Sequence, residues 1–309
     1  MSATRLLNLI VAYLKRLLLL PDQVAEAKTL AAKLLIHQMK ASAPVTHLHQ
    51  AEFKVFSQFG DDGIIQYLIH RTGITNCEQC FVEFGVESYE ESNTRFLLTN
   101  DNWKGVVIDG DPRNIRHIQY DRISWRHDLR ALCAFIDRDN INGLIKSAGM
   151  SGDIGLLSID IDGNDYWVWE RIECVNPVIV VVEYNSVFGW EHAVSVPYDP
   201  RFQRGAAHYS HLYWGCSIAA LERLAKKKGY ALVGSNSAGN NAYFVRRDRL
   251  SGIRELTAQE AYVESKFRES RDQSGRLTFL AGAQRIHAIR DLSLCEVERN
   301  EMVRIADLS

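Results

Sequence analysis

The chain has 309 residues, of which 46% are hydrophobic, and its formal net charge is −2. This composition is typical of a packed globular protein rather than a disordered one, and the small charge gives no general attraction to nucleic acid or to an anionic membrane. Six cysteines are too few for a disulfide-stabilised secreted fold, and no secretory signal is evident, so we expect a cytoplasmic protein.

Residues 1–50 predict a helical N-terminal extension. Residues 5–20 have the pattern of an amphipathic helix with a narrow polar face that includes Arg5, Lys15 and Arg16. Pro21 is expected to end this helix, and a second helix is predicted over 23–39. The wide apolar face has to be covered, either by the second helix or another subunit, or by a membrane interface. We therefore expect a homo-oligomer that associates through its terminal helices, with peripheral membrane contact through residues 5–20 as the alternative.

Residues 51–250 alternate between apolar runs and helical patterns, which predicts an α/β, doubly wound sheet of the Rossmann type. The predicted strands are 81–84, 106–108, 124–126, 155–159, 178–182, 230–233 and 242–246. The predicted helices between and around them are 64–69, 92–100, 112–118, 131–137, 166–172 and 218–228. Residues 251–309 are expected to form a helical C-terminal extension, with helices at 256–270 and 277–290.

A nucleoside site is indicated where two of these strands end. The first strand is followed by Gly85, and the second ends in Asp109, whose carboxylate can accept both hydroxyls of a ribose. Val86 and Ser88 stand where a dinucleotide-binding loop has its further glycines, so a pyrophosphate would be poorly held. A nucleoside without phosphates, such as S-adenosylmethionine, suits this loop better.

Several short motifs occur in one order along residues 53–248. They are Phe56-Ser-Gln-Phe-Gly-Asp-Asp-Gly-Ile64, Phe81-Val-Glu-Phe-Gly85, Ser92-Asn-Thr94, Trp103-Lys-Gly105, Ile108-Asp-Gly-Asp111 and the pair Lys228-Gly-Tyr230 and Asn241-Ala-Tyr-Phe-Val-Arg246. Together they resemble the FkbM-like group of S-adenosylmethionine-dependent methyltransferases. The resemblance implies a Rossmann-like, mostly parallel sheet whose last strand runs antiparallel.

The resemblance also implies cofactor contacts. Glu83 and Gly85 would line the methionine end, Asp109 the ribose, and Asp128 the adenine amino group. Asp111 competes with Asp109, and Asp109 has an alternative role as a cap of the following helix. The full expected set is Gln58, Glu83, Gly85, Glu87, Asp109, Asp111, Asp128 and Asp160.

A second group of polar residues follows the two most apolar strands. Asp160 and Asp162 follow one, and Glu183 and Asn185 end the next. Since neighbouring parallel strands end at the same edge of a sheet, these four oxygen donors are candidate ligands of Mg²⁺ or another divalent cation that activates an acceptor hydroxyl. The alternative is that they bind backbone amides or substrate hydroxyls without metal.

Methyl transfer needs an aligned acceptor and a base that takes up its proton. Asp160, His208 and His211 are the candidate catalytic residues. The aromatic side chains between 188 and 214 suit a sugar ring. We therefore expect O-methylation of a sugar or glycan precursor. A metal-dependent nucleotide-sugar glycosyltransferase is the alternative, because Asp109-Gly-Asp111 and Asp160-Ile-Asp162 are both D-x-D motifs. No basic, aromatic surface indicates nucleic-acid binding.

Overall fold

A twisted, mostly parallel sheet forms the centre of the chain in a computed structural model that describes residues 3–266 and 268–308. The strands are β1 (Cys80–Phe84), β2 (Lys104–Asp109), β3 (Leu129–Cys133), β4 (Gly152–Ile159), β5 (Val175–Glu183), β6 (Val194–Ser195), β7 (Tyr230–Ser235), β8 (Asn241–Arg246), β9 (Ser293–Glu296) and β10 (Glu301–Arg304). Seven of them form the main sheet in the order β3-β2-β1-β4-β5-β8-β7.

Helices cover both faces of this sheet and extend beyond it. They are α1 (Ala3–Ala41), α2 (Asp61–Thr72), α3 (Arg95–Asn100), α4 (Pro112–Tyr120), α5 (Ile123–Arg126), α6 (Ile141–Ser147), α7 (Asp165–Arg171), α8 (Arg204–Ala207), α9 (Ile218–Lys228), α10 (Ala258–Ala261) and α11 (Ala283–His287). Among the residues that the structure describes, no helix has both the length and the apolar content needed to cross a membrane.

The expected Rossmann-like fold is confirmed, including the reversal of its last strand. Strands β1 to β5 run parallel to one another, whereas β8 lies antiparallel to both β5 and β7. Alternate residues of one strand enter different core clusters, as Val82 and Phe81 of β1 do. Both faces of the sheet are therefore buried, which explains why its central strands read as uninterrupted apolar runs.

The predicted strand at 124–126 and the predicted helix at 131–137 are both wrong. Residues Ile123–Arg126 form α5, and the strand lies five residues later, at Leu129–Cys133. Short apolar runs fit a strand or a helix equally well by pattern. Here the parallel pairing with β2, from Gly105 opposite Leu129 to Asp109 opposite Cys133, decides between them.

The predicted break at Pro21 is also wrong, because α1 is continuous from Ala3 to Ala41 with Pro21 inside it. Proline removes one helical hydrogen bond, and the flanking Leu, Ala and Lys residues favour helix strongly enough for α1 to continue. No second helix is therefore left to cover residues 5–20. The C-terminal part of α1 packs on the body of the protein, where Ala32 and Ile36 contact a small cluster with Val55 and Phe96.

Each of the two helices predicted for residues 251–309 is reduced in the structure to about one turn, α10 and α11. The expectation of a helical extension is therefore wrong over most of this segment. Instead, β9 and β10 form a hairpin that pairs with β6 in a three-stranded sheet. The reason lies in tertiary contacts that replace helical hydrogen bonds. The backbone amide of Val263 donates to the Tyr184 hydroxyl (3.2 Å), and that of Ser265 donates to the Ser186 hydroxyl (3.0 Å).

Candidate functional site

A cavity of about 470 Å³ opens at the edge of the sheet where β1, β2, β4 and β5 end. Its size falls within the usual range of small-molecule sites. Sheets of this class bind their ligands in such a crevice, beyond the carboxyl ends of the strands. The predicted site residues Gln58, Glu83, Gly85, Glu87, Asp109, Asp160, Asp162, Glu183 and Asn185 all lie on its wall.

Gly85 makes the sharp turn that takes the chain out of β1. Its φ of +67° is a left-handed conformation that favours glycine. A Cβ at this position would lie only 1.7 Å from the backbone oxygen of Asp160, at the end of β4. The glycine is therefore required by the close approach of two strand ends, in addition to any approach of a ligand. Its own amide donates to the backbone oxygen of Ile108 in β2 (3.0 Å), which joins three strand ends at the cavity.

Glu83 is a buried anchor for the loop between β1 and α3. Its carboxylate accepts hydrogen bonds from the backbone amide of Asn93 (2.8 Å), the backbone amide of Thr94 (3.2 Å) and the Ser92 hydroxyl (3.1 Å). Burial raises the pKa of Glu83, although these donors oppose the shift. The Glu83 carboxylate thus fixes the loop residues 92–94 that form part of the cavity wall. Most of its hydrogen-bond acceptor positions are used by these groups of the protein itself.

Asp109 is the last residue of β2 and is almost entirely buried in the wall. One carboxylate oxygen accepts from the backbone amide of Glu87 (2.9 Å), and the other accepts from the amide of Asp111 (2.8 Å) and the side chain of Asn114 (3.0 Å). These bonds hold the carboxylate in one orientation and fix the turn after β1 against it. Since a carboxylate has about four acceptor positions, capacity remains for a ligand hydroxyl.

Asp111, the competing candidate, has a different role in the structure. It caps the N-terminus of α4 through the backbone amide of Arg113 (2.8 Å), and its carboxylate pairs with the Arg113 guanidinium (2.6 Å). The pKa of Asp111 is lowered because Arg113 donates hydrogen bonds to it. The helix-capping role considered for Asp109 therefore belongs to Asp111, whereas Asp109 faces the cavity.

The adenine contact expected of Asp128 does not fit the fold. Asp128 comes immediately before β3, and its backbone oxygen accepts from the amide of Gly105 at the start of β2 (2.9 Å). It therefore lies at the amino edge of the sheet, opposite the cavity. The error follows from the misplaced third strand. The residues that β3 does deliver to the wall are Ala134, Phe135 and Ile136, which sequence reasoning missed.

The segment before α2 supplies Gln58 to the wall. Its position depends on Asp62, whose buried carboxylate accepts from the backbone amides of Val55, Phe56 and Ser57 at 2.8–2.9 Å. Asp62 thus orders the turn that carries Gln58, and it does so from inside α2 rather than as the cap of that helix.

Asp160 and Glu183 form a pair of carboxyl groups at the ends of β4 and β5. Glu183 Oε2 is buried and has no hydrogen-bond partner among the described residues. Burial raises the pKa of Asp160 well above its ordinary value, and the nearby charges of Asp162 and Asp165 add to the effect. Burial and the charge of Asp160 likewise raise the pKa of Glu183. The charge on either carboxylate therefore disfavours ionisation of the other.

The structure does not support the predicted divalent-cation site, because two of its four donors are engaged elsewhere. The Asn185 amide donates to the backbone oxygens of Leu212 (2.9 Å) and Trp214 (3.0 Å), and its own oxygen accepts from the amide of Val187 (3.1 Å). Asp162 is largely exposed and pairs with Arg204 (3.0 Å). Within the described residues, no three His, Cys, Asp or Glu side chains are grouped so that they could hold a metal ion.

The two histidines proposed as bases lie behind the cavity rather than on its wall. The His208 ring is hydrogen-bonded to the Ser210 hydroxyl (2.7 Å), and burial lowers its pKa. His211 is 3.7 Å from Glu269, which separates it from the cavity. The carboxyl pair Asp160–Glu183 is thus the titratable group best placed to exchange a proton with a ligand.

The rest of the cavity wall is formed by Phe202, Arg204, Trp214 and Arg285. No motif in the sequence indicated that Arg285 would lie there.

No protein-family model and no curated protein matches the chain. Solved structures that resemble it are S-adenosylmethionine-dependent methyltransferases. The CurJ carbon methyltransferase shares 8% identity over 60% of this chain at a TM-score of 0.40, and the chain spans about half (54%) of its length. A methyltransferase from Clostridium acetobutylicum shares 7% identity over 57% of this chain and 87% of its own, with a TM-score of 0.36. An O-methyltransferase from Bacillus cereus, in complex with S-adenosylhomocysteine, shares 11% identity over 71% of this chain and 89% of its own, with a TM-score of 0.35. Membership of the FkbM-like family remains a prediction.

Proposed function

We propose that this protein is an S-adenosylmethionine-dependent methyltransferase that acts on a hydroxyl group of its acceptor. The observation that carries the proposal is the convergence of three features on one cavity. These are the left-handed turn at Gly85, the oriented carboxylate of Asp109 and the carboxyl groups of Asp160 and Glu183 on the same wall. The sheet around them has the reversed final strand that the resemblance implied.

The residues present fit a nucleoside cofactor. Asp109 would bind the ribose hydroxyls with its remaining acceptor capacity, and the backbone of 85–87 would line the other side of the same turn. The segment 134–136 replaces Asp128 as the expected neighbour of the adenine base, and Gln58 would cover the cavity from the α2 side. When bound, S-adenosylmethionine supplies a methyl group that is already activated for transfer.

The carboxyl pair provides the acid–base chemistry of the site. An ionised carboxylate of the pair can accept the proton that the acceptor hydroxyl loses. Burial raises the basicity of the pair toward the working pH, which is the condition for an effective general base.

A sugar or glycan precursor is the acceptor class that we propose. Support comes from the aromatic side chains of Phe202 and Trp214 on the cavity wall, together with polar groups such as Asn240. Aromatic faces pack well against the apolar faces of sugar rings, and the neighbouring polar groups suit hydroxyls.

Glycosyl transfer is not favoured, because neither D-x-D motif presents two available carboxylates. Asp111 is engaged by Arg113, and Asp162 is engaged by Arg204. The diphosphate–metal contact that this alternative requires therefore has no matching pair of ligands.

The cofactor assignment is tested by comparing two neighbouring aspartates. We expect Asp109→Ala to weaken S-adenosylhomocysteine binding by about 10- to 100-fold, the range for losing hydrogen bonds to a charged group. Asp111→Ala should leave the affinity unchanged and lower the free energy of unfolding through loss of the α4 cap. Isothermal titration calorimetry and urea unfolding measure the two effects. If the wild-type protein has no affinity for S-adenosylmethionine or S-adenosylhomocysteine at millimolar concentrations, the proposed function is wrong.

A further inference from the structure

Arg285 is a buried cation on the cavity wall that the proposed chemistry leaves unused. It lies on α11, and only 7% of its surface is exposed. Its Nε has no hydrogen-bond partner in the described part of the chain, and its Nη1 lies 3.5 Å from the backbone oxygen of Ser265, at the limit of a hydrogen bond. Burial lowers the pKa of Arg285, and the nearby charge of Glu264 opposes this shift.

The neighbouring Arg204 shows how a guanidinium is normally satisfied in this site. It pairs with Asp162 (3.0 Å) and Glu269 (3.6 Å), donates to the backbone oxygen of His211 (2.9 Å) and stacks over Trp214. Its charge is close enough to Arg285 to disfavour a second cation there. Within the described residues, Arg285 has only one long hydrogen bond and no ion pair, so a buried guanidinium is left incompletely compensated. A ligand that supplies an anionic group would compensate it.

We propose that Arg285 binds an anionic group of the methyl acceptor, a carboxylate or a phosphate. Guanidinium groups bind both anions through paired hydrogen bonds, and Arg285 is one of the residues that line the cavity. The acceptor would then bind with its reacting hydroxyl beside the base Asp160–Glu183 and its anionic group beside the Arg285 guanidinium. This inference rests on the proposed function and narrows its acceptor to an acidic molecule.

The test compares one sugar ring in three charge states. Glucose 6-phosphate, glucuronate and glucose are titrated into the protein saturated with S-adenosylhomocysteine, and binding is followed by ligand-observed NMR. We expect at least one of the two anions to bind at millimolar concentration and glucose to bind at least tenfold more weakly. The better of the two anions identifies phosphate or carboxylate as the group recognised.

Variants locate the binding. Arg285→Gln should weaken the bound anion at least tenfold, Arg285→Lys should recover part of the loss, and Arg290→Gln, an exposed arginine five residues later, should have no effect. Equal binding of the three sugars would overturn the inference. So would a loss of S-adenosylhomocysteine affinity in Arg285→Gln, because Arg285 would then hold the cofactor carboxylate. Failure of the wild-type protein to bind S-adenosylhomocysteine would instead count against the proposed function.

A second, independent observation concerns α1. Apolar residues recur along it at alternating spacings of three and four, the heptad pattern of a coiled coil. The positions in this seam are Leu6, Ile10, Tyr13, Leu17, Leu20, Val24, Ala27, Ala31 and Leu34. The seam residues from Tyr13 onward are exposed, including Tyr13 (64%), Leu17 (45%) and Leu34 (69%). The side of α1 that packs on the body carries Ala32 and Ile36 instead, so the described seam side chains, from Tyr13 to Leu34, are not covered within the single chain.

We infer that α1 of a second copy of this chain covers the seam and forms a coiled-coil dimer. A membrane surface would require only one broad apolar face, whereas nine successive apolar positions in heptad register match the requirement of helix-to-helix packing. Pro21 lies beside the seam and not in it.

Light scattering coupled to gel filtration should give twice the mass of one chain for the full-length protein. Leu17→Glu combined with Val24→Glu should give the monomer mass with unchanged helix content. The matched control, Val11→Glu with Leu19→Glu, alters exposed positions outside the seam and should remain dimeric. A monomeric wild-type protein, or one that sediments with vesicles of phosphatidylglycerol and phosphatidylcholine while the seam variant does not, would overturn the inference.

Discussion

Asp160→Asn is expected to lower methyl transfer by about 10²- to 10⁴-fold, the usual contribution of a positioned acid or base. Asparagine has the same shape and can still donate a hydrogen bond to Glu183, but it cannot accept a proton. The measurement is transfer of a labelled methyl group from S-adenosylmethionine to a small-molecule extract, with the wild-type protein as reference. S-adenosylhomocysteine affinity should change little, since the cofactor contacts proposed above for Asp109, the turn 85–87 and the segment 134–136 do not involve Asp160.

The matched control is Asp153→Asn, an exposed aspartate at the amino end of the same strand. We expect it to retain full activity. The pH dependence gives a second readout. Because burial raises the pKa values of the pair, the wild-type rate should rise with pH through a range well above the ordinary carboxyl pKa. Near-normal transfer by Asp160→Asn, or a rate that is independent of pH across that range, would rule out the pair as the base.

Gly85→Ala is expected to destabilise the protein by about 3 kcal/mol or more, a size that only strained or clashing substitutions reach. The added methyl group would meet the backbone oxygen of Asp160 at 1.7 Å, so the ends of β1 and β4 would have to separate. Their separation would also displace the turn that Asp109 holds through the amide of Glu87. We therefore expect a loss of S-adenosylhomocysteine affinity in parallel with the loss of stability, measured by urea unfolding and calorimetry.

Gly73→Ala separates the two causes of this loss. Gly73 ends α2 with a similar left-handed φ of +61°, but a Cβ there would have no neighbour within 4 Å. It should therefore cost only about 1 kcal/mol, the conformational penalty alone. If Gly85→Ala costs no more than Gly73→Ala, the close approach to Asp160 is not what requires the glycine.

The sequence predicted the central strands well because each is buried on both faces and therefore reads as an apolar run. It predicted the position of Asp109 and Asp160 for the same reason, since a polar residue directly after such a run lies at the edge of the sheet. It could not place β3, whose residues are only partly buried and whose pattern fits either a helix or a strand. Because that strand was misplaced, the adenine contact predicted for Asp128 does not fit the fold either.

Most remaining errors concern groups whose role depends on distant parts of the chain. The sequence makes Asn185 a plausible metal ligand. In the structure, its side-chain amide instead donates hydrogen bonds to backbone oxygens of the loop at 212–214. Residues 256–270 have helix-forming composition, but Tyr184 and Ser186 bind their backbone in another conformation. Such contacts join residues about 30 to 80 positions apart, and local pattern carries no information about them.

By itself, the sequence determined the class of the fold and the edge of the sheet that forms the site. These follow from periodicity and from the positions where apolar runs end, which are local properties. Only the tertiary structure decided that Asp109 rather than Asp111 faces the cavity, that burial raises the pKa values of both Asp160 and Glu183, and that Arg285 of α11 lines the same cavity. Each depends on which groups burial brings together, because distance and desolvation set the charge and the hydrogen bonding of a side chain.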